Sequence, residues 1–440
     1  MMFEICIVGE CKKMNPQGFH WKGEKMKTNA SALPFLLILL FFFQSVSSQG
    51  LPTARPEEVG LSAARLDRIK PFMQSYVNQG KLAGLITMIA RRGKVVHFEK
   101  YGVMDNGRPM QLDAIFRIAS MTKPITSTAI MMLYEEGKFQ LNDPVSKFIP
   151  GFKDVKVYSS TDENGIKLVE PKNPMTMRDL LTHTSGLTYG EFGDTPVDMM
   201  YRKADLMGGT LKEMIDKLTK LPLLYQPGTK WNYSVSTDVL GYIVEVISGM
   251  PLDEFFQQRI FMPLRMNDTG FFVPKEKINR FTALYELAKD GKLKVGEMPQ
   301  TSRFATPPQY LGGGGRLVST AADYLRFAQM LLNKGELEGI RLLGRKTVEF
   351  MTENHLSSEF FPPDWQGYGF GLGFFVMVNS PQSKIIGSEG EFGWQGIYNT
   401  YFVVDPTEEL ILILMTQFSS SINYSIEAEF EVLTYQAIVN

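Results

Sequence analysis

Ser120-Met121-Thr122-Lys123 sets a hydroxyl and an amine three residues apart, between Ile115–Ala119 and Pro124-Ile125-Thr126. A serine hydroxyl is a weak nucleophile at neutral pH and needs a base beside it. A lysine three positions on reaches it across one helical turn, and works as a base once burial or a second cation lowers its pKa. Free N–H groups at a helix start add a place to hold an oxyanion. Taken alone, the pattern equally describes an N-cap serine followed by a solvated lysine.

Two further segments change its weight. Tyr233 follows Pro227-Gly228-Thr229-Lys230-Trp231-Asn232 and precedes a strongly periodic helix. A tyrosine on such a loop can share the serine's proton if a cation such as Lys123 lowers its pKa; alone it reads as a core aromatic. Gly393-Trp394-Gln395-Gly396-Ile397 enters a predicted strand, Ile397–Val404. There the Ile397 backbone N–H is a candidate second oxyanion donor, and Gly396 lets a substrate approach the main chain.

Other candidates carry less. His183 reads as a structural histidine. Glu389 and Glu391 flank Gly390 and are expected to be exposed loop charges or rim residues. Phe360, Phe361, Trp365 and Tyr368 form an aromatic loop that caps a cleft or packs on it. Gly312–Gly315 lacks the Lys-Ser/Thr of a phosphate loop and is expected to allow close chain packing. No His-x-x-x-His pair occurs, and the site is expected to use neither metal nor cofactor.

The elements that must position these residues follow from periodicity. Ala83–Ala90 and Val95–Val103 read as a hairpin around Arg91-Arg92-Gly93-Lys94. A helix follows Lys123 and stops near Gly137. Further helices are predicted at Thr210–Leu221, Thr237–Ser248, about 321–334 and about 424–438. Leu410–Thr416 is a late strand. The simplest packing is an α+β fold whose two chain ends share one antiparallel sheet flanked by helices. The α/β part covers about 51–140 and 311–440, and a mainly helical lobe at about 141–310 is inserted, with the cleft between them.

The chain has 440 residues, 44% hydrophobic and 21% charged, with net charge −1. No basic or acidic block points to nucleic acid or to an anionic membrane. Residues 1–48 have the layout of a signal peptide starting at Met26: Lys27, the apolar run Leu33–Phe43, then Val46-Ser47-Ser48. That run is shorter than the roughly 20 residues of a membrane span. The expectation is a secreted or periplasmic protein without a stable span after cleavage; an uncleaved N-terminal anchor is the alternative. Cys6 and Cys11 are the only cysteines and precede the cleavage site, so the mature chain has no thiol chemistry.

The order of the motifs resembles the serine β-lactamase/penicillin-binding-protein superfamily, most closely its class C β-lactamase-like branch. The resemblance spans roughly residues 55–435. It rests on Ser120-Met121-Thr122-Lys123, on Leu180-Leu181-Thr182-His183-Thr184-Ser185-Gly186-Leu187, and on Tyr225-Gln226-Pro227-Gly228 leading to Tyr233-Ser234. Gly312–Ser319 with Thr320-Ala321-Ala322-Asp323, and Trp394-Gln395-Gly396, complete it. It implies a β-lactamase/transpeptidase-like fold, with Ser120 acylated and Lys123 and Tyr233 as its acid/base partners. The backbone N–H groups of Ser120 and Ile397 would form the oxyanion hole, and Trp394, Gln395 and Gly396 would contact substrate.

Two departures narrow the expectation. Val235 stands where this branch has the asparagine of Tyr-x-Asn, and Trp394-Gln395-Gly396 stands in place of Lys-Thr-Gly. That looks like the family VIII carboxylesterases and transesterases on this fold, and favours small neutral esters over anionic lactams. A D-alanyl peptidase or β-lactamase is the alternative within the fold, and a non-catalytic homologue the alternative outside enzymes.

Overall fold

In the computed structural model, residues 50–363, 365–419 and 424–440 are described. The signal-peptide reading falls on residues 1–48, outside them.

The apolar stretch Gly84–Arg91 is strand β1, and all its side chains are buried. It turns through Arg92 and Gly93, both at positive φ (51° and 73°), as a tight two-residue hairpin requires. The return strand is β2, Lys94–Asp105. The other strands of this sheet are β3 (Arg108–Pro109), β4 (Tyr368–Phe370), β5 (Phe375–Met377), β6 (Phe392–Gly396), β7 (Thr400–Asp405) and β8 (Leu410–Thr416). Their order is β4-β5-β6-β7-β8-β1-β2-β3, antiparallel throughout. Leu85 lies opposite Thr416 and Arg91 opposite Leu410, so both ends of the chain do meet in one sheet.

Five helices matter for the site and its support: α1 (Ile69–Asn78), α2 (Thr122–Glu135), α3 (Ser236–Ser248), α4 (Ala321–Leu332) and α5 (Ile426–Tyr435). Side chains alternate across a strand, so each central strand feeds two cores. Leu85, Ile89, Val403, Leu412 and Leu414 pack with Ile69 and Met73 of α1 and Ile426 and Phe430 of α5. Ile86, Met88, Phe402, Ile411 and Ile413 face a second core with α2, α3 and α4. Helix α2 is buried from Thr122 to Leu133, its polar side chains included. Two of its buried hydroxyls are bonded, Thr122 Oγ1 donating to Ala119 O at 2.7 Å and Thr126 Oγ1 to Gly313 O at 2.7 Å, while Thr128 Oγ1 has no partner among the described residues.

The intervening residues carry the helices Met177–Leu181, Pro196–Lys203, Leu211–Leu218 and α3. Thr176, Thr195 and Thr210 start the first three with reciprocal capping boxes. Two ribbons, Val157–Asp162 with Gly165–Val169 and Leu284–Leu287 with Leu293–Glu297, had no periodic signal in the sequence.

Two expectations are corrected. The strand predicted at Ile397–Val404 starts at Thr400. Trp394-Gln395-Gly396 instead belongs to its own strand, β6, and Ile397 sits in the turn that joins β6 to β7. Gly393 belongs in that strand because a Cβ there would meet Phe402 O at 2.1 Å. Glu391 is buried at 1% exposure rather than an exposed loop charge, because Tyr435 of α5 covers it; Glu389 is exposed.

Candidate active site

Ala119 has φ 44° and starts a single 3₁₀ turn, Ala119–Met121, that leads into α2. Ser120 thus lies one turn before the α-helix. Residues i and i+3 eclipse in a 3₁₀ turn, which favours the Ser120–Lys123 approach. Three anchors fix the turn. Tyr324 of α4 donates to Met121 O at 2.8 Å, Thr400 Oγ1 of β7 to Ile118 O at 3.2 Å, and the Ile118 N–H to Leu317 O at 3.1 Å.

Lys123 Nζ lies 3.2 Å from Ser120 Oγ and donates to Gly314 O at 2.5 Å. Lys123 is 1% exposed, and its ammonium sits over the ring of Tyr233, 4.5 Å from the centroid. The structure brings Ser120, Lys123 and Tyr233 together as the sequence anticipated, with one difference. Tyr233 meets Lys123 through its ring face, and its buried hydroxyl has no partner among the described residues.

The Leu180–Leu187 string holds the tyrosine loop. The Asn232 N–H donates to His183 O at 2.8 Å, and Asn232 Nδ2 to Leu187 O at 2.7 Å. Gly186 (φ 82°) is packed so that a Cβ would meet Tyr225 O at 2.1 Å. His183 is 1% exposed and its ring lies 5.0 Å from that of Tyr233. Burial, and then the Lys123 charge, hold His183 well below the ordinary histidine range. Its Nδ1 lies 3.3 Å from Ser234 Oγ, a structural hydrogen bond of the kind expected of it.

Gly396 closes β6 against the nucleophile turn: a Cβ there would lie 2.6 Å from Ile118 O and 3.2 Å from Ala119 Cβ. That contact brings Ile397 beside Ser120, with its side chain 62% exposed at the mouth of the site. Trp394 is buried, its ring 5.6 Å from Tyr233 and 5.4 Å from Phe370. Gln395 is exposed at the rim. Ser120, Tyr233, Trp394, Gln395, Gly396 and Ile397 share one cavity of about 730 Å³. Two other cavities, of about 360 and 490 Å³, lie away from Ser120. Trp365 of the aromatic loop lines the same wall, 4.5 Å from Trp231, so this part of the loop faces the cleft.

Two participants escaped the sequence reading. Asp238, in the first turn of α3, is 2% exposed; its Oδ1 accepts from Tyr310 Oη at 2.8 Å and from the Gly314 N–H at 3.0 Å. Burial pushes its pKa up, and the Lys123 charge opposes that. In sequence it passes for an ordinary acidic residue at a helix start. The glycine run at 312–315 also does more than pack. A Cβ on Gly314 would meet Asp238 Oδ2 at 2.3 Å, and the Gly314 carbonyl holds Lys123.

Residues 67–434 match the Beta-lactamase family. Protein Rv1367c of Mycobacterium tuberculosis is 36% identical over 363 residues, covering 80% of this chain and 90% of that one. Esterase EstB of Burkholderia gladioli is 29% identical over 388 residues, covering 83% and 93%. Among solved structures, EstCE1, a hydrolase with promiscuous acyltransferase activity, superposes with a TM-score of 0.72 at 25% identity over 86% of this chain and 99% of that one. The architecture is the β-lactamase/transpeptidase-like fold. The chain belongs to the Beta-lactamase family, within the serine β-lactamase/penicillin-binding-protein superfamily and with esterase-like relatives.

Proposed function

We propose that the protein is a carboxylesterase or transesterase that forms an acyl-enzyme on Ser120. One observation carries this: Lys123 Nζ lies 3.2 Å from the Oγ of Ser120, and Ser120 lines the aromatic cavity. Ser120 Oγ attacks the ester carbonyl, and its proton passes to the Lys123–Tyr233 pair, one member of which is deprotonated beforehand, Lys123 as free amine or Tyr233 as phenolate. The backbone N–H groups of Ser120 and Ile397 hold the oxyanion. Collapse breaks the bond to the leaving alkoxide, which takes the proton. Water or a second alcohol then attacks the acyl-Ser120 ester by the same route in reverse. Trp231, Trp365 and Trp394 offer apolar area to a small ester, and no lysine stands at the third motif.

The likeness to esterase EstB supports the ester reading. Turnover of p-nitrophenyl acetate and butyrate by the full chain and by Ser120→Ala tests it. The expected loss is on the order of 10⁶-fold; equal rates would refute it. Labelling of Ser120 by a fluorescent penicillin with no ester turnover would move the reading to a peptidase or β-lactamase.

A further inference from the structure

The Phe304 ring, 2% exposed, is surrounded by three guanidinium groups. Arg117, Arg303 and Arg316 place Cζ at 5.7, 5.4 and 4.9 Å from its centroid. Among the described residues only Arg117 has a carboxylate partner, Glu297 at 2.7 Å. Arg303 and Arg316 form no ion pair among them, and Arg316 Nε is buried without a hydrogen-bond acceptor. Both arginines line the cavity that holds Ser120. Burial, and then the Arg303 charge, pull the Arg316 guanidinium down to about 10. Two unpaired like charges, one largely desolvated, are an unfavourable arrangement unless an anion completes it.

More donors point the same way. Trp231 and Trp394 also line this cavity, and the Nε1 of each is buried without an acceptor among the described residues. Three acidic residues share the lining, Glu191, Asp238 and Glu427; none forms an ion pair with Arg303 or Arg316 among the described residues, and Asp238 Oδ1 is taken by Tyr310 Oη and the Gly314 N–H. Glu191 is exposed, and Glu427 accepts from Asn399 Nδ2 at 3.1 Å while burial raises its pKa.

We propose that the cavity takes an ester that carries a carboxylate, and that Arg316 and Arg303 bind this carboxylate. The proposal rests on Ser120 as the acylated nucleophile and revises the neutral substrate expected from the missing lysine. The cation comes from the glycine-loop side of the cleft, two residues beyond the carbonyl that holds Lys123, instead of from β6. Guanidinium forks bind carboxylate and phosphate alike. With Glu191, Asp238 and Glu427 on the same lining, a monoanion meets less repulsion than a phosphate dianion.

Two matched ester pairs test this with the full chain. 4-Nitrophenyl hydrogen glutarate against 4-nitrophenyl valerate places the charge on the acyl side. 3-Acetoxybenzoate against phenyl acetate places it on the leaving group. In at least one pair the charged member is expected to show a kcat/KM about tenfold higher or more, the scale of a charge-assisted hydrogen bond. That ratio should fall to about one in Arg316→Gln and also drop in Arg303→Gln, whose exposed position makes it the safer variant for folding. Ratios of one or less in both pairs, or a preference kept in both variants, would overturn the proposal. If no member of either pair is turned over, the esterase reading fails, and the anion site is read separately. Monomethyl glutarate should then quench the cavity tryptophans saturably in the unaltered chain but not in Arg316→Gln, and no saturable quench would overturn it. Inorganic phosphate that quenches while monomethyl glutarate does not would overturn the choice of carboxylate.

Discussion

Beneath α5, on one face of the sheet, Tyr435 Oη lies 2.7 Å from both Glu391 Oε2 and Asp405 Oδ2, and Glu431 Oε1 pairs with Tyr401 Oη. On the other face, around Ser120, the hydroxyl of Tyr233, Nε1 of Trp231 and Trp394, Nε of Arg316 and Oδ2 of Asp238 are all buried without partners among the described residues. The first cluster closes on itself; of its atoms only Glu431 Oε2 is unpartnered. The second opens into a cavity that can hold a substrate. Buried polar groups cost stability unless they are hydrogen-bonded. A cluster satisfied from within therefore reads as structure, and one that leaves several atoms unpartnered on residues that line a cavity reads as function.

Perturbing the two clusters should separate activity from stability. The largest effect is expected at Lys123. Lys123→Met should lower ester kcat/KM on the order of 10³-fold, the scale of a lost general base. Its urea midpoint should change little, because the desolvation cost of the buried amine is removed along with its bond to Gly314 O and its pull on Asp238. Retained turnover, or a collapse of stability, would break the comparison from the catalytic side. Tyr435→Phe should do the converse. It leaves two buried carboxyls short of a partner and should destabilise by about 2 kcal/mol, read by urea denaturation, with kcat/KM kept.

Next comes pH. One hydroxyl has one hydrogen, so one of the two Tyr435 contacts needs a carboxyl proton. Burial pushes Glu391 up to about 7 and Glu431 up to about 8, both above the ordinary glutamate value. The folded state therefore holds protons that the unfolded chain releases at lower pH. That contribution is complete below the ordinary glutamate value and is lost as pH rises through about 7 and about 8. Asp323, pushed up to about 6 by burial, acts in the same sense. Tm should fall as pH is raised through this window; a flat or rising Tm would contradict the linkage. The smallest expected effect is in Glu431→Gln, which should flatten part of that slope without changing ester turnover.

The hairpin β1–β2, helices α2 to α5 and strand β8 were legible because alternation and helical spacing are local, and their stops (Arg92-Gly93, Gly249) are local too. Ser120, Lys123 and Tyr233 were legible because their motifs stand in a known order. β6 was not: glycines at 393 and 396 read as a turn, whereas here they allow main chain to press on Phe402 and on Ile118. Glu391 was misjudged because its cover, Tyr435, lies 44 residues on in another element. Arg316 and Arg303 gave no signal for the same reason. Their shared neighbour Phe304 and the cavity they line exist only in the tertiary fold.

The most direct test of the central claim is the intact mass of the full chain after treatment with a fluorophosphonate. The account predicts one adduct, mapped to Ser120 by peptide sequencing and absent from Ser120→Ala. No adduct, or an adduct on another residue, would contradict it.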